Sequence, residues 1–386
     1  MIRSSKLSIK FSNNIKKKNL FEFIDEYKRV VEFFINYLWD QDDIPTLLPK
    51  EITDQVETWL SARAIQCAGK QSSGIVRGTK KKQKQRLFIY NKLLESNHVK
   101  QAKRLKKVID KAQVSKPNVE QVNPELDSRF IKFDFDNETI FDGWITFTCL
   151  GNKFKIEIPV KKTKHFNSLN GTLKLGIRLN KNNITFMFYE TIEPKTSGNT
   201  LGLDIGITTL ASLSDGQVTN QDNHNWDLNK INKKLNKKKK GSQGFRKAQT
   251  HRTNYVNWSI NQINFDNVKE LKLENIKNLR RGRRSSRYLN HWTYTEIKGK
   301  LERTCEKLGV QVSYVSPTYT SQRCSSCGWV RKSNRKGKLF KCSKCGFIFD
   351  ADLNASKNIA LNLPAIGRKE RQQQLNRTGF YWNAVG

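Results

Sequence analysis

Nothing in this 386-residue chain approaches a run of roughly eighteen apolar residues, which excludes a membrane-spanning helix. Its opening, Met1-Ile2-Arg3-Ser4-Ser5-Lys6, has no apolar core, so no secretory signal is expected. Acids are scarce. Asp and Glu number 35 against 71 Lys and Arg, leaving a net charge of +36. A compact surface carrying that excess repels itself, and the simplest compensation is a bound polyanion. Apolar residues are few as well, at 36%, although 21 Phe, 8 Trp and 10 Tyr argue against wholesale disorder. The five His lack ligand spacing, and no repeat of fixed period is visible. The seven Cys are odd in number and four cluster late, which speaks against a disulfide framework. A metal site in a reducing compartment is expected instead, and with it a cytoplasmic, nucleoid-associated protein without membrane contact.

The chain reads as an α+β protein of several domains. Residues 4–11 alternate polar and apolar, as a half-buried strand does. From Leu20 the period changes: Leu20, Phe23, Ile24, Tyr27, Val30, Val31, Phe34, Ile35 and Leu38 form one helical stripe. Pro45 and Pro49 interrupt it, a second helical stretch is expected from Thr53 to Cys67, and residues 70–108 are dense in Lys and Arg. Pro117 to Pro124 reads as a linker. Short strands are then expected at 129–135, 144–150, 153–158, 173–177 and 184–188, in a small antiparallel barrel or sandwich that residues 4–11 would join. A hinge at 193–199 precedes Leu201-Gly202-Leu203-Asp204-Ile205-Gly206, which opens a different kind of domain. From Tyr288 to Leu308, Trp292, Ile297, Leu301, Cys305 and Leu308 mark a helix with an apolar side. Trp292, Tyr294 and Trp329 suit either base stacking or core packing, and the tail 361–386 with Trp382 reads as weakly ordered.

Cys324-x-x-Cys327 and Cys342-x-x-Cys345, with fourteen residues between the pairs, are the most specific feature. Two residues between thiolates let one tight knuckle aim both sulfurs at one ion, and Gly328 and Gly346 follow where the chain must turn. Two such knuckles predict a closed, structural zinc site; iron–sulfur and dithiol redox motifs call for other spacings. Four thiolates leave no open position for catalysis. Cys67, Cys149 and Cys305 sit in apolar patterns and are expected in cores.

Three acids stand out beside the cysteines. Asp204 lies in an apolar strand between glycines, Glu274 ends the strand-like Glu270-Leu271-Lys272-Leu273-Glu274, and Asp350-Ala351-Asp352 opens a helix just past the last cysteine. Singly, each reads as a turn acid, a strand end or an N-cap. Together they suit two Mg²⁺ ions about 3.5–4 Å apart, which need carboxylates converging from separate elements to bring water onto a phosphodiester. An RNase H-like arrangement of strands and helix would allow that convergence.

At these residues the sequence resembles TnpB, the transposon-encoded RNA-guided nuclease, and the compact type V CRISPR effectors that share its parts. The likeness rests on "GLDIG", "LKLENIKN", "SPTYTSQRCSSCG" at 316–328 and "DADLNASKNIA" at 350–360. It implies an N-terminal wedge β-barrel split into residues 1–18 and 121–195, with a helical recognition lobe at 19–120 inserted in it. A RuvC-like nuclease domain at 196–386 would follow, carrying a zinc ribbon at about 318–349. The family pattern picks Asp204, Glu274 and Asp352 as the magnesium-binding, catalytic acids and leaves the role of Asp350 open. The implied activity is cleavage of guide-matched DNA by two-metal hydrolysis. The implied partners are a guide RNA, target double-stranded DNA and the displaced single strand. An RNA-guided repressor that keeps its acids, or a guide-independent transposon nuclease, are the alternatives.

Two basic clusters lie between the acids. Lys237, Lys238, Lys239, Lys240, Arg246 and Lys247 belong to the first, and Arg280, Arg281, Arg283 and Arg284 to the second. Such runs are often solvated or localisation-like patches. Between nuclease acids, however, they suit a path for nucleic-acid backbone, neutralising phosphates without reading bases.

Overall fold

The nine-residue apolar stripe beginning at Leu20 lies on α1 (Asn14–Trp39), and all nine side chains are buried. Asn13 caps the helix by accepting from the Lys16 amide at 2.8 Å. The computed structural model describes residues 1–111, 114–135, 139–152, 154–276 and 293–384. Arg280, Arg281, Arg283, Arg284 and Trp292 therefore lie outside the described residues.

Two units divide the chain, Met1–Thr191 and Ile192–Gly386. In the first, α1 packs on α2 (Ala62–Glu95), which α3 (Val99–Lys111) follows. The second helix starts later than Thr53 and runs far past Cys67. A short helical turn at Lys50–Thr53 comes first, Leu60 then bridges to Gly151, and the Ser61 hydroxyl caps the long helix at the Ala64 amide. The strands are β1 (Ile2–Ser8), β2 (Glu125–Leu126), β3 (Ile131–Asp134), β4 (Gly143–Phe147), β5 (Ile156–Val160), β6 (Thr172–Leu179) and β7 (Asn183–Tyr189). They form two antiparallel sheets, in the orders β1-β7-β6-β2 and β3-β4-β5, sharing one core with the helices. β4 ends short of Leu150 because Cys149 turns the chain at φ 60°; its thiol is exposed rather than in a core, and Cys67 is half-buried.

The second unit centres on a sheet ordered β11-β10-β8-β9. Here β8 (Asn199–Asp204), β10 (Val268–Glu274) and β11 (Gln311–Val315) are parallel, and β9 (Ser212–Leu213) is antiparallel to β8. Leu201, Leu203, Leu271 and Leu273 point to one face and bury against α4 (Leu228–Asn236), α5 (Gln243–Asn261) and α6 (Tyr294–Lys307). Ile297, Leu301 and Cys305 of α6 are fully buried, whereas Leu308 is exposed. The opposite face carries Gly202 and Asp204. A Cβ at Gly202 would lie 2.2 Å from the Ser356 carbonyl oxygen, so only glycine lets α7 (Ala351–Ala360) lie so close to the strand. No helix among the described residues is long and apolar enough to cross a membrane.

Between β11 and α7 runs a small module built from β12 (Trp329–Val330), β13 (Arg335–Lys336), β14 (Leu339–Lys341) and β15 (Ile348–Asp350). The tail, expected to be weakly ordered, docks on it. Strand β16 (Phe380–Tyr381) pairs with β12, Trp329 packs edge-on against Tyr381, and Trp382 is 6% exposed. Trp329 thus serves packing, and so does Tyr294, which joins the sheet core and donates its hydroxyl to the Glu274 carbonyl.

Candidate functional site

The four cysteines converge. Their sulfurs lie within 4.8 Å of one another, with Cys324 to Cys345 and Cys327 to Cys342 at 3.7 Å. A tetrahedron of ~2.3 Å zinc–sulfur bonds has edges of about 3.8 Å, so the two 3.7 Å pairs fit the donor set of a zinc ion. Each pair forms the same knuckle. The Gly328 and Gly346 amides donate back to the Cys324 and Cys342 carbonyls at 2.9 and 3.1 Å, and both glycines take positive φ, 79° and 76°. Burial pushes the Cys324 thiol up to about 12, while the Phe347 backbone amide holds Cys345 down near 7. Metal binding must therefore displace a proton from Cys324.

On the sheet, parallel pairing sets Leu203 beside Leu273, so Asp204 and Glu274 end adjacent strands on neighbouring rungs. Asp352 comes from the first turn of α7. Asp350 is its N-cap, accepting from the Asp352 and Leu353 amides at 2.9 and 3.0 Å, which gives that residue a structural role. Asp204 feels the other two acids. Burial, then the charges of Glu274 and Asp352, raise the Asp204 carboxyl to about 7. Burial raises Glu274 too, opposed by a hydrogen bond from the Thr320 hydroxyl. Among the described residues only the cysteines gather ligand atoms within 4.8 Å of each other. Asp204, Glu274 and Asp352 do not gather their ligand atoms to that distance.

Cations that the sequence did not single out hold the third acid. Arg335 pairs with Asp352 at 2.8 Å, and Lys338 reaches its other oxygen while donating to the Thr209 hydroxyl at 2.8 Å. Both belong to the β13–β14 hairpin of the metal module; the only signal was their place in a basic run between the cysteine pairs. Arg323 was also missed. It is buried, donating to the Trp382 carbonyl at 2.6 Å and to Asn358 Oδ1 at 2.7 Å. Asn354 and Asn358, one turn apart on α7, donate to the Arg323 carbonyl, and Asn354 Oδ1 accepts from the Ser325 amide at 2.9 Å. These bonds bolt the first cysteine knuckle to the helix that carries Asp352.

The first basic cluster is a surface. Lys237 to Lys240 occupy the turn between α4 and α5, and Arg246 and Lys247 lie on the side of α5 opposite the buried Phe245 and Ala248. All six are exposed.

A four-cysteine module able to hold a metal ion, joined to a parallel sheet with an acidic carboxyl edge, defines the class. Residues 294–359 match the family model described as Cas12f1-like, TNB domain. The CRISPR-associated endodeoxyribonuclease Cas12f1 of Sulfoacidibacillus thermotolerans is 46% identical over 77 residues, 20% of this chain and 18% of that protein. The TnpB-like protein MJ0751 of Methanocaldococcus jannaschii is 34% identical over 73 residues, 19% of this chain and 26% of that protein. The matched stretch spans less than a fifth of the length of the Cas12f1 relatives. In fold, the structure of CasPhi-2 (Cas12j) bound to crRNA and phosphorothioate-DNA superposes with a TM-score of 0.51 at 11% identity, over 93% of this chain and 91% of that one. Over about a fifth of its length the chain is thus similar to Cas12f1 and TnpB-like proteins.

Proposed function

We propose that this protein is an RNA-guided DNA endonuclease whose RuvC-type, RNase H-like centre is formed by Asp204, Glu274 and Asp352. The observation that carries the reading is the placement of three acids on two parallel strands and one helix, with Asp204 raised to about 7 first by burial and then by the charges of Glu274 and Asp352. Two cations on the ribbon hairpin offset only part of that charge, which suits a site for hard divalent ions. Asp204, Glu274 and Asp352 would hold magnesium, which when bound supplies positive charge at the attacking and leaving oxygens.

The chain's own residues do the rest. Thr320 fixes the Glu274 carboxylate, and the Asn354–Asn358 clamp fixes α7, so the acids are set before substrate arrives. Arg335 and Lys338 can turn from Asp352 to a phosphate oxygen, and the guanidinium suits that role because it clamps phosphate bidentately. In the reaction a water oxygen bonds to phosphorus, losing a proton to solvent. The opposite phosphorus–oxygen ester bond breaks, and its oxygen takes up a proton. No covalent enzyme intermediate forms. The exposed Lys237–Lys240 turn, Arg246 and Lys247 serve as backbone contacts. The sequence-level assignment of Arg280, Arg281, Arg283 and Arg284 to the same role concerns residues outside those described. Guide RNA, matched duplex and the displaced strand are the partners, with sequence read by base pairing. The N-terminal unit serves as wedge and recognition lobe.

Asp204→Ala is the test. Binding of guide and target should persist within about threefold, while cleavage of a matched plasmid in Mg²⁺ falls by about 10³-fold. Cleavage at the native rate would refute the assignment.

A further inference from the structure

On the sheet face that carries Asp204 and Glu274 lies a cavity of about 420 Å³, lined in part by Glu270, Lys272, Ser313, Ser316, Thr320 and Trp382. Glu270, Lys272 and Glu274 share that face of β10, so the cavity continues from the candidate catalytic acid along the strand. Its wall at that end is Thr320, the residue whose hydroxyl donates to Glu274.

Two charges stand in it without counter-charges. Lys272 is 6% exposed; its ammonium donates to the Ala360 carbonyl at 3.1 Å and to Asn362 Oδ1, but pairs with no carboxylate among the described residues. Those two acceptors leave the third N–H of the ammonium unused. The Glu270 carboxylate accepts from the Thr200 and Ser313 hydroxyls at 3.1 and 2.6 Å and pairs with no cation among the described residues. Two residues apart on one strand face, their backbones are about 6.6 Å apart, and the side chains do not form an ion pair. A buried ammonium with no acid is strongly unfavourable unless something else fills its coordination.

The complement of this pair is neither an anion, which Glu270 repels, nor a cation, which Lys272 repels. It is a neutral, flat group offering an acceptor and donors along one edge. Nucleobases have that character, and guanine matches best: O6 accepts from the ammonium while N1–H and N2–H both donate to the carboxylate. Thymine offers a single donor. The Trp382 indole, held by its Nε1 donation to the Pro364 carbonyl at 3.2 Å, supplies an aromatic wall for stacking. The volume falls within the usual range for small-ligand sites, about 300–1,000 Å³.

We propose that this cavity is a nucleobase subsite that takes an unpaired guanine next to the scissile phosphate, read by Lys272 and Glu270. The proposal rests on the nuclease reading for its purpose and on the cavity for its chemistry, so the two can be tested apart. The full chain with its co-purified RNA is titrated with dGMP and with dTMP by calorimetry. dGMP should bind about tenfold more tightly, and Lys272→Met and Glu270→Gln should each erase the difference. Should Lys272→Met fail to fold, Glu270→Gln and the wild-type comparison still decide the matter. Equal binding of the two nucleotides, or a preference that survives in a folded variant, overturns the subsite. If that happens while matched DNA is still cut, the nuclease reading stands alone. A guanine preference lost in the variants, in a protein that cuts no matched DNA, keeps the subsite and removes the nuclease reading.

Discussion

On the proposed function, Cys324→Ser is expected to abolish cleavage of guide-matched DNA although the cysteine is not one of the three acids assigned to catalysis. The metal module's own core is very small: Cys324, Phe340, Cys342 and Ala351 are its buried members. So little apolar surface cannot fold a module by itself, and two of the four are thiolate ligands. Structural zinc supplies about 10–16 kcal/mol of apparent binding free energy in isolated modules of this kind. Its loss should unfold the ribbon. The consequence reaches the acids by a short route. Ala351 precedes Asp352, Arg335 and Lys338 hold the Asp352 carboxylate from the ribbon hairpin, and Asn354 and Asn358 tie α7 to the Arg323–Ser325 knuckle. Without the knuckle the helix loses its register against Gly202. Zinc content by mass spectrometry, thermal melting and plasmid cleavage should therefore fall together, for the variant and for chelator-treated wild type. Readdition of zinc should restore only the latter. Full cleavage in zinc-free protein would contradict the coupling.

The second large effect concerns pH. Asp204 is held near 7 in the folded chain by burial and by Glu274 and Asp352, whereas the unfolded carboxyl titrates near its ordinary value of 3.8. The folded state thus binds this proton more tightly. Between those two values the metal-free protein loses stability as pH rises, and above about 7 the full penalty is present. Glu274, also raised, adds in the same direction. Since the metal-binding form is the ionised one, protons compete with Mg²⁺. The Mg²⁺ concentration giving half-maximal cleavage should be about tenfold higher at pH 6 than at pH 8, and nearly constant from pH 8 to pH 9. The same balance makes Asp204→Asn a stabilising change in metal-free protein at pH 8, on the order of 2 kcal/mol once solvent screening is allowed for. That gain should vanish below pH 4. An Mg²⁺ requirement independent of pH between 6 and 8 would show that Asp204 is already ionised and ordinary.

What the sequence made legible, and what it did not, follows from the range of the interactions. The Leu20–Leu38 stripe was readable because helical burial repeats every three to four residues, and all nine members are buried. The cysteine knuckles were readable because local spacing and a following glycine determine the turn; Gly328 and Gly346 have the positive φ that such a turn requires. Asp204 was visible as a carboxylate in an apolar strand and Glu274 as one at a strand end, whereas Asp352 was picked from Asp350-Ala351-Asp352 by the family resemblance. Contacts made across the fold left no such trace. Arg335, Lys338 and Arg323 act through partners 14 to 129 positions away, and in a chain with 71 basic residues nothing local marks three of them. The tail misled for a similar reason. Phe380, Tyr381 and Trp382 look like isolated aromatics until β12 and the Arg323 guanidinium are placed beside them. The late start of α2 depended on a bridge between Leu60 and Gly151, a pairing that no window of sequence contains.

The central claim is that Asp204, Glu274 and Asp352 jointly hold divalent metal. Anomalous scattering from crystals grown with Mn²⁺ tests it directly, with the ribbon zinc as an internal reference. The account predicts manganese peaks about 3.5–4 Å apart between the three carboxylates, with Lys338 withdrawn from Asp352. Manganese elsewhere, with the acids empty and the zinc peak in place, would contradict it.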